Sequence, residues 1–268
     1  MAALLPTLGK VRRRARALAS VANLHQITTV GDCFACDNDG RYPPSVATIG
    51  FGDNWNWQPP TVLTGYLKRT PALRRSMSAY LHPYIPDASV MFCPSAPLKY
   101  KYQQEAWDAG ENWDNPDTPS RPDALVGVYC FYWNYVGYLG DRQELFRGPS
   151  GPAKARREGR IVVSDYFGYD HWRSPNAYGS CEKLPDSQIT EGYMISSAYW
   201  SQPAHGTPEE RDSLGTKLRA GYTDGHVESY TPADTVPMRV ILNRETGQPY
   251  PTGTGGQGIF YLPRIGLH

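Results

Sequence analysis

The segment 4–44 constrains the fold more than any other part of the chain, because it predicts one long amphipathic helix with a defined end. Apolar residues recur there at alternating spacings of four and three, which is the period of a helical stripe and not of a strand. This apolar stripe consists of Leu4, Leu8, Val11, Ala15, Leu18 and Ala22. Asp37-Asn38-Asp39-Gly40 then ends the helix, since Gly and Asn tolerate left-handed backbone.

A helix of roughly 30 residues is about 45 Å long, which is too long to be covered along its whole length by a domain of this size. We therefore expect part of it to project. Its first third carries a basic belt formed by Lys10, Arg12, Arg13, Arg14 and Arg16. The belt lacks the interleaved aromatic residues of a single-strand nucleic-acid binder. Its place after Leu4-Leu5-Pro6 leaves two interpretations, a juxtamembrane belt that meets anionic headgroups and a solvated helix face.

Composition places the remainder of the chain in a different structural class. The 268 residues carry a formal net charge of only +1, so nothing global indicates nucleic-acid binding. Gly, Pro and Tyr are abundant (26, 24 and 19 residues), which is typical of short strands and long ordered loops. No apolar stretch reaches the roughly 18 residues of a membrane span. We therefore predict an α+β protein, with a helical spine at 1–37 and a globular head at 38–268.

Within the head, the hydrophobic pattern predicts several short elements. They are a helix over 70–81, a short strand over 90–94, a surface loop over 96–122, strands within 125–139, over 161–165 and over 193–196, and a last edge strand over 259–262. Residues 220–230 predict a β-hairpin with Asp224-Gly225 as a two-residue type I′ turn. No internal repeat and no clean interdomain linker is visible.

Acidic residues and histidines in the head offer an alternative function, that of a metal-dependent hydrolase. The candidate ligands of a divalent cation such as calcium or zinc are Asp165, His171, His205, Asp224 and His226. Turn chemistry alone already explains Asp224 and Gly225, so we expect no cofactor and no enzyme activity. The chain contains no Gly-rich phosphate loop, no G-x-S-x-G and no H-E-x-x-H sequence.

Tryptophans offer a further alternative, that of a carbohydrate-binding surface module. The candidate stacking platforms are Trp55, Trp57, Trp107, Trp113, Trp133 and Trp172, and ordinary core packing is the favoured interpretation of the same residues.

The cysteines are odd in number: Cys33, Cys36, Cys93, Cys130 and Cys181. Cys33 and Cys36 form a C-x-x-C within the predicted helix, and no second such pair completes a zinc site. We interpret these two as semi-buried residues one helical turn apart. In an exported protein, one or two disulfides are possible and at least one thiol is left over.

Several segments together resemble the pilin-like bacterial proteins that carry a prepilin-type N-terminal cleavage and methylation segment. They are Leu4-Leu5-Pro6-Thr7-Leu8-Gly9-Lys10-Val11-Arg12, Asn23-Leu24-His25-Gln26-Ile27, Asp37-Asn38-Asp39-Gly40-Arg41-Tyr42-Pro43, Phe92-Cys93-Pro94-Ser95 and Tyr222-Thr223-Asp224-Gly225-His226-Val227-Glu228. His205 resembles the histidine that commonly precedes that last hairpin. The segments lie in the family's order, from residue 4 to about residue 230.

The resemblance implies a subunit of a type IV pilus-like or type II secretion pseudopilus-like assembly in the bacterial cell envelope. It implies an anchor in the inner membrane, a head in the periplasm or at the cell surface, and other pilin subunits as partners. The residues Leu4, Leu8, Val11, Ala15 and Leu18 would pack against those subunits. Met1 falls near the end of the expected transmembrane stretch, so the start codon lies upstream, the chain is trimmed, or this copy lacks the anchor.

The resemblance also bears on disulfide pairing. Ser20 stands where relatives often carry a cysteine that pairs with the one in Cys-Pro. Cys93 is therefore expected to pair with Cys33, Cys36 or Cys130, or to stay free.

Overall fold

The protein is a mixed α+β structure, seen in a computed structural model that describes residues 4–47, 60–65, 75–94, 102–117, 125–139, 144–153, 159–169, 178–179, 217–240 and 259–267. The described helices are α1 (Leu4–Asp37), α2 (Ser78–Leu81) and α3 (Gln103–Ala109), with 3-10 turns at Ala88–Met91, Gly110–Asn112 and Pro232–Asp234. The described strands are β1 (Val62–Thr64), β2 (Leu125–Val126), β3 (Tyr129–Phe131), β4 (Val136–Leu139), β5 (Glu144–Arg147), β6 (Ile161–Asp165), β7 (Phe167–Tyr169), β8 (Tyr178–Gly179), β9 (Leu218–Tyr222), β10 (Val227–Tyr230), β11 (Thr235–Val240) and β12 (Ile259–Pro263).

The described strands form three antiparallel sheets. A four-stranded sheet has the order β10-β9-β6-β3, and a six-stranded sheet has the order β5-β4-β11-β12-β7-β8. The short strands β1 and β2 pair separately. Helix α1 contacts β6, β9 and β10 of the four-stranded sheet, so this sheet and the helix enclose much of the core. The predicted α+β class is confirmed at this level.

Helix α1 has an exposed apolar stripe in its first half and a buried stripe on the opposite side in its second half. Leu8, Val11 and Leu18 of the apolar stripe are 51%, 59% and 69% exposed. The core-facing residues of the second half are fully or almost fully buried and comprise Ser20, Leu24, Ile27, Gly31 and Ala35. At about 100° per residue, the two stripes lie about 180° apart. The sequence pattern that predicts the helix is therefore not the pattern that attaches it to the head.

The end of α1 follows the predicted turn chemistry. The Gly40 N–H donates to the carbonyl oxygen of Ala35 at 2.8 Å, and Asp39 and Gly40 have φ of 53° and 74°. This six-to-one hydrogen bond across left-handed residues is a Schellman motif, and it satisfies a carbonyl that the helix leaves open. The predicted helix end at Asp37 is therefore confirmed.

Three predicted local elements differ from the structure. Of the helix predicted over 70–81, residues 70–74 lie outside the described residues. Within 75–81 only Ser78–Leu81 are helical, and the Glu111 carboxylate accepts the backbone N–H groups of Arg75 and Ser76 ahead of them. Residues 90–94 are all described and form no strand: Val90 and Met91 belong to the 3-10 turn Ala88–Met91, which Asp87 caps by accepting the Ser89 N–H at 2.8 Å. The loop over 96–122 contains α3, whose Ala106 and Trp107 are buried. The polar composition of this segment gives no signal of a buried helix face.

The predicted hairpin is present, but its turn differs. Val227 pairs with Gly221 and the Tyr222 N–H donates to the His226 carbonyl oxygen, so the loop is Thr223 to Gly225. Among the loop residues only Gly225 has positive φ, at 82°, whereas a type I′ turn needs two such residues.

The strand over 259–262 is also confirmed, but β12 pairs with both β11 and β7 and is not an edge strand.

Gly221 allows α1 to approach β9 closely. A Cβ at this position would lie 2.7 Å from Thr28 Cγ2 and 3.2 Å from Val163 Cγ1. The Gly221→Ala variant should therefore lose about 1–3 kcal/mol of the free energy of unfolding through overpacking, measured by urea denaturation. The added Thr28→Ser change removes the clashing methyl group and should restore part of the loss. Gly9→Ala is the matched control, because nothing lies within 4 Å of its added Cβ. An equal effect at Gly9 and Gly221 would contradict this helix–sheet contact.

Candidate functional site

The first candidate site is the outward side of α1, which we call the outer face. Its members share one side of the helix and are all exposed: Leu8, Val11, Ala15, Leu18, Ala22, Thr29, Cys33 and Cys36. The outer face thus runs from the apolar stripe to the last turn of the helix. Leu4 begins α1, and its side chain lies outside the described residues. Exposed large apolar side chains in a row mark an interaction surface more often than isolated ones do.

The basic belt lies on the same half of α1, and its five side chains are exposed. Asp32 is the first acidic residue of the chain, so about four turns of helix separate the end of the belt from it. Among the described residues, no carboxylate forms an ion pair with the belt. The belt is therefore available to an external anion or surface.

The second half of α1 holds together segments that are far apart in sequence. The Asn23 side chain donates to the carbonyl oxygen of Phe92 at 2.9 Å, directly before Cys93. Ser20 Oγ lies 2.9 Å from the Tyr129 hydroxyl, and both groups are buried. A buried polar group costs free energy unless it is hydrogen-bonded, so these contacts fix the position of the helix on the sheet.

Tyr42 attaches the chain after the helix end. Its hydroxyl donates to Asp32 Oδ1 at 2.8 Å, and its ring lies where a side chain at Gly31 would be, 3.3 Å from the ideal Cβ. Partial burial raises the pKa of Asp32, although the hydrogen bond from Tyr42 opposes this. The Asn134 side chain donates to the carbonyl oxygens of Tyr42 and Pro43 at 3.2 and 2.7 Å. The Asp-Asn-Asp-Gly-x-Tyr-Pro segment is therefore structural.

The cysteines differ sharply in their environment. Cys93 is disulfide-bonded, and Cys33, Cys36 and Cys130 are free. The expected pairing of Cys93 with one of those three cysteines is therefore wrong, as is the expectation that it stays free. Cys33 and Cys36 are exposed and not semi-buried, because the helix turns them to the outer face.

Thiol labelling should separate the free cysteines in two steps. A maleimide should modify Cys33 and Cys36 in the native protein and Cys130 only after unfolding. The reason is that Cys130 is 1% exposed and its burial raises the pKa of its thiol. Mass spectrometry of labelled peptides measures both steps. Cys33→Ser should remove one fast label and Cys130→Ser only the slow one; fast labelling of Cys130 would contradict the burial of β3.

The second candidate site is the β9–β10 hairpin. The Asp224 carboxylate contacts Nδ1 of His226 and accepts its backbone N–H at 3.2 Å. The imidazole Nε2 lies 3.9 Å from Glu228, and the ring stacks on Tyr222 with centroids 4.3 Å apart. Burial raises the pKa of Tyr222, with smaller contributions from Glu228 and Asp224. An aspartate that orients a histidine in this way is part of many catalytic sites in which the histidine acts as a general acid or base.

Among the described residues, no hydroxyl or thiol is hydrogen-bonded to Nε2 of His226. Packing holds the hairpin tip in place. A Cβ at Gly159 would lie 3.0 Å from the Asp224 carboxylate, and one at Gly266 would lie 2.8 Å from the Tyr222 ring. The Thr223 hydroxyl accepts the Arg160 N–H at 2.9 Å, which pins the hairpin tip.

Three of the five proposed metal ligands lie among the described residues, and Asp165 is separated from the other two. Asp165 is fully buried, accepts the Arg219 N–H at 3.1 Å and lies 3.4 Å from its guanidinium. Asp224 lies beside Gly159, at the opposite end of β6, so the two carboxylates are about 15–20 Å apart. Ligand bonds of about 2–2.6 Å cannot span that distance, so Asp165 and the pair of Asp224 and His226 do not share one ion in this arrangement. His171 and His205 lie outside the described residues.

The described tryptophans belong to the core. Trp107, Trp113 and Trp133 are 3%, 5% and 1% exposed, so none of these three offers a ring face to a sugar. The Trp107 indole N–H also donates to the carbonyl oxygen of Ile85 at 2.7 Å. Trp55, Trp57 and Trp172 lie outside the described residues.

Sequence reasoning missed the residues that hold the helix to the head. Ser20 and Asn23 interrupt the interior of a predicted helix, where such residues are unfavourable unless their side chains find partners. That interruption was the available signal. The Asp165–Arg219 pair had no sequence signal, because its two members are 54 positions apart.

Three further findings bear on the function of the protein. In the described part of the chain, no group of three His, Cys, Asp or Glu side chains is arranged to hold a metal ion. None of the described helices combines the length and apolar composition of a membrane span. No protein-family model, no curated protein and no solved structure matches this chain at a significant level.

Proposed function

We propose that this protein is a non-enzymatic structural subunit of a type IV pilus-like or type II secretion pseudopilus-like assembly in the bacterial cell envelope. The outer face of α1 packs against neighbouring subunits of the same kind. The head occupies the periplasm or the cell surface, and an apolar segment upstream of Met1, where present, would anchor the subunit in the inner membrane. No nucleic acid and no bound cofactor takes part.

One observation carries the proposal. Helix α1 is attached to an antiparallel sheet by its second half, while three large apolar residues of its first half, Leu8, Val11 and Leu18, are more than half exposed. Burying such side chains is favourable by about 1.5–3 kcal/mol each, and the head leaves them uncovered. A second copy that contributes the same kind of surface can bury them.

The sequence segments that resemble pilin-like proteins add support, because several of them meet at α1. Asn23 binds the Phe92-Cys93 segment, and Thr28 packs on Gly221, directly before the hairpin segment. Tyr42 folds back on Asp32 and Gly31 of the same helix. These contacts give each of the segments a role in holding α1 to the head, and that role involves no catalysis.

Restoring an upstream prepilin-type segment tests the proposal. Joined in frame ahead of Leu4 and expressed in a bacterium that has a prepilin peptidase, the protein should sediment with membranes. Chemical cross-linking should then yield a ladder of multimers. The matched variant Leu8→Asp/Val11→Asp/Leu18→Asp should reach the membrane but lose the ladder, because charged residues do not pack in an apolar seam. A protein that stays monomeric and soluble, without membrane association, would overturn the proposal.

A further inference from the structure

The first half of α1 separates its apolar and basic residues around the helix. At about 100° per residue, Leu8, Val11, Ala15 and Leu18 fall within a sector of about 80°. The basic residues occupy a separate sector of about 200° and are Lys10, Arg12, Arg13, Arg14 and Arg16. All of these side chains are exposed. This half of the helix is therefore amphipathic, with an apolar side and a positively charged side.

The charge of this segment is entirely of one sign. Residues 4–31 contain five Lys and Arg residues and no Asp or Glu, although the whole chain is nearly neutral at +1. The imbalance is therefore concentrated on the part of α1 that leaves the head. A surface that complements this segment must be negative beside the basic sector and apolar beside Leu8, Val11 and Leu18.

Three occupants can be compared by that requirement. A second copy of the same segment would bury the apolar sector, but the basic sector points away from that seam and would find no negative partner there. A nucleic acid would neutralise the basic sector but leave the apolar sector in water. An anionic phospholipid bilayer satisfies both sectors at once, because its headgroups are negative and its acyl boundary is apolar.

We propose that residues 4–19 of α1 form a peripheral membrane-binding element that lies in the plane of an anionic bilayer. Leu8, Val11 and Leu18 enter the acyl boundary. The Arg side chains extend along the helix surface and place their guanidinium groups among the lipid phosphates. Ser20 and Leu24 belong to the buried face that holds the head, so the head remains in water.

This inference goes beyond the proposed assembly. It requires neither an upstream anchor nor a second subunit, and it applies to the chain of 268 residues before assembly. The bilayer and a neighbouring subunit would compete for the same apolar residues. Membrane binding therefore holds the free subunit, and assembly displaces the lipid.

Vesicle co-sedimentation of the full chain, at a concentration where it is monomeric, tests the inference. The probes are phosphatidylcholine vesicles with phosphatidylglycerol and vesicles of phosphatidylcholine alone. The protein should bind only the anionic vesicles, and binding should weaken as salt rises. The variants Leu8→Ser/Val11→Ser/Leu18→Ser and Arg12→Gln/Arg13→Gln/Arg16→Gln should each weaken binding by at least about tenfold. Gln26→Ser, an exposed change on the second half of α1, should leave it unchanged.

All these variants change exposed side chains, so a thermal melt should show an unaltered head and exclude misfolding as the cause. Equal binding to neutral vesicles, or an unaffected serine variant, would overturn the inference. Binding to a DNA duplex that matches binding to vesicles would assign the basic sector to nucleic acid and also overturn it. Vesicle binding that is lost while the cross-linked ladder of the anchored protein persists refutes only this inference. The reverse result refutes only the assembly.

Discussion

Leu24→Ala should lower the free energy of unfolding by about 2–5 kcal/mol, whereas Leu18→Ala should change it by less than about 0.5 kcal/mol. The two leucines lie on the same helix, six residues apart. Leu24 is 0% exposed, and Leu18 is 69% exposed. Truncation of Leu24 removes buried contacts and leaves a cavity between α1 and the four-stranded sheet. Urea denaturation, followed by far-UV circular dichroism, measures both variants.

Ile27→Ala, also at 0% exposure, should behave like Leu24→Ala. Val11→Ala, at 59% exposure, should behave like Leu18→Ala. The four variants together map the division of α1 into an attached half and an outward half. A loss of stability at Leu18 equal to that at Leu24 would mean that the head covers the apolar stripe, and the assembly surface would then not exist.

Asp165→Asn should destabilise the fold by about 3–5 kcal/mol, because it leaves the Arg219 guanidinium buried without a counter-charge. The pair is a buried one: Asp165 is 0% exposed and Arg219 is 7% exposed. The variant preserves the shape of the side chain, so lost packing contributes little. Thermal and urea unfolding measure the loss.

The double variant Asp165→Asn/Arg219→Met provides the control. Replacement of both charges should recover much of the loss, and the deviation from additivity gives the coupling between the two residues. If Asp165 were instead a metal ligand, Asp165→Asn would stabilise or leave unchanged the metal-free protein. Stability would then depend on added calcium or zinc. A neutral Asp165→Asn variant would therefore contradict the buried ion pair.

The sequence predicted the elements whose signals are local. The end of α1 is predicted by Asp39 and Gly40, because Asp and Gly tolerate the left-handed backbone that both residues adopt there. Strand β6 follows from an unbroken apolar run, and the hairpin follows from Asp224-Gly225. The α+β class follows from a helical stripe ahead of a head rich in Gly, Pro and Tyr.

The remaining features depend on contacts between distant parts of the chain. Helix α3 was missed because Trp107 donates its indole N–H to Ile85, 22 positions away, and a polar sequence surrounds it. The hairpin turn was mistaken because Asp-Gly is compatible with two loop lengths, and strand register decides between them. The distance of Asp165 from Asp224 depends on which end of β6 meets the hairpin, which no local pattern encodes.

The candidate site was predictable only in part. The apolar stripe and basic belt of α1 are visible in the sequence, because helical periodicity places their members on defined faces. That the stripe faces away from the head was not predictable, because the second half of α1 carries a different stripe about 180° away. Ser20 and Asn23 decide which stripe is buried, through Tyr129 and Phe92.

Site-specific photocrosslinking along α1 of the membrane-anchored protein tests the central claim most directly. A photoreactive amino acid is placed at Leu8, Val11 or Leu18 on the outer face, and at Arg13 or Arg16 in the basic sector. The account predicts covalent adducts between copies of this chain from the outer-face positions, and few or none from the basic sector. Adducts that form equally from both sectors, or none from the outer face, would contradict it.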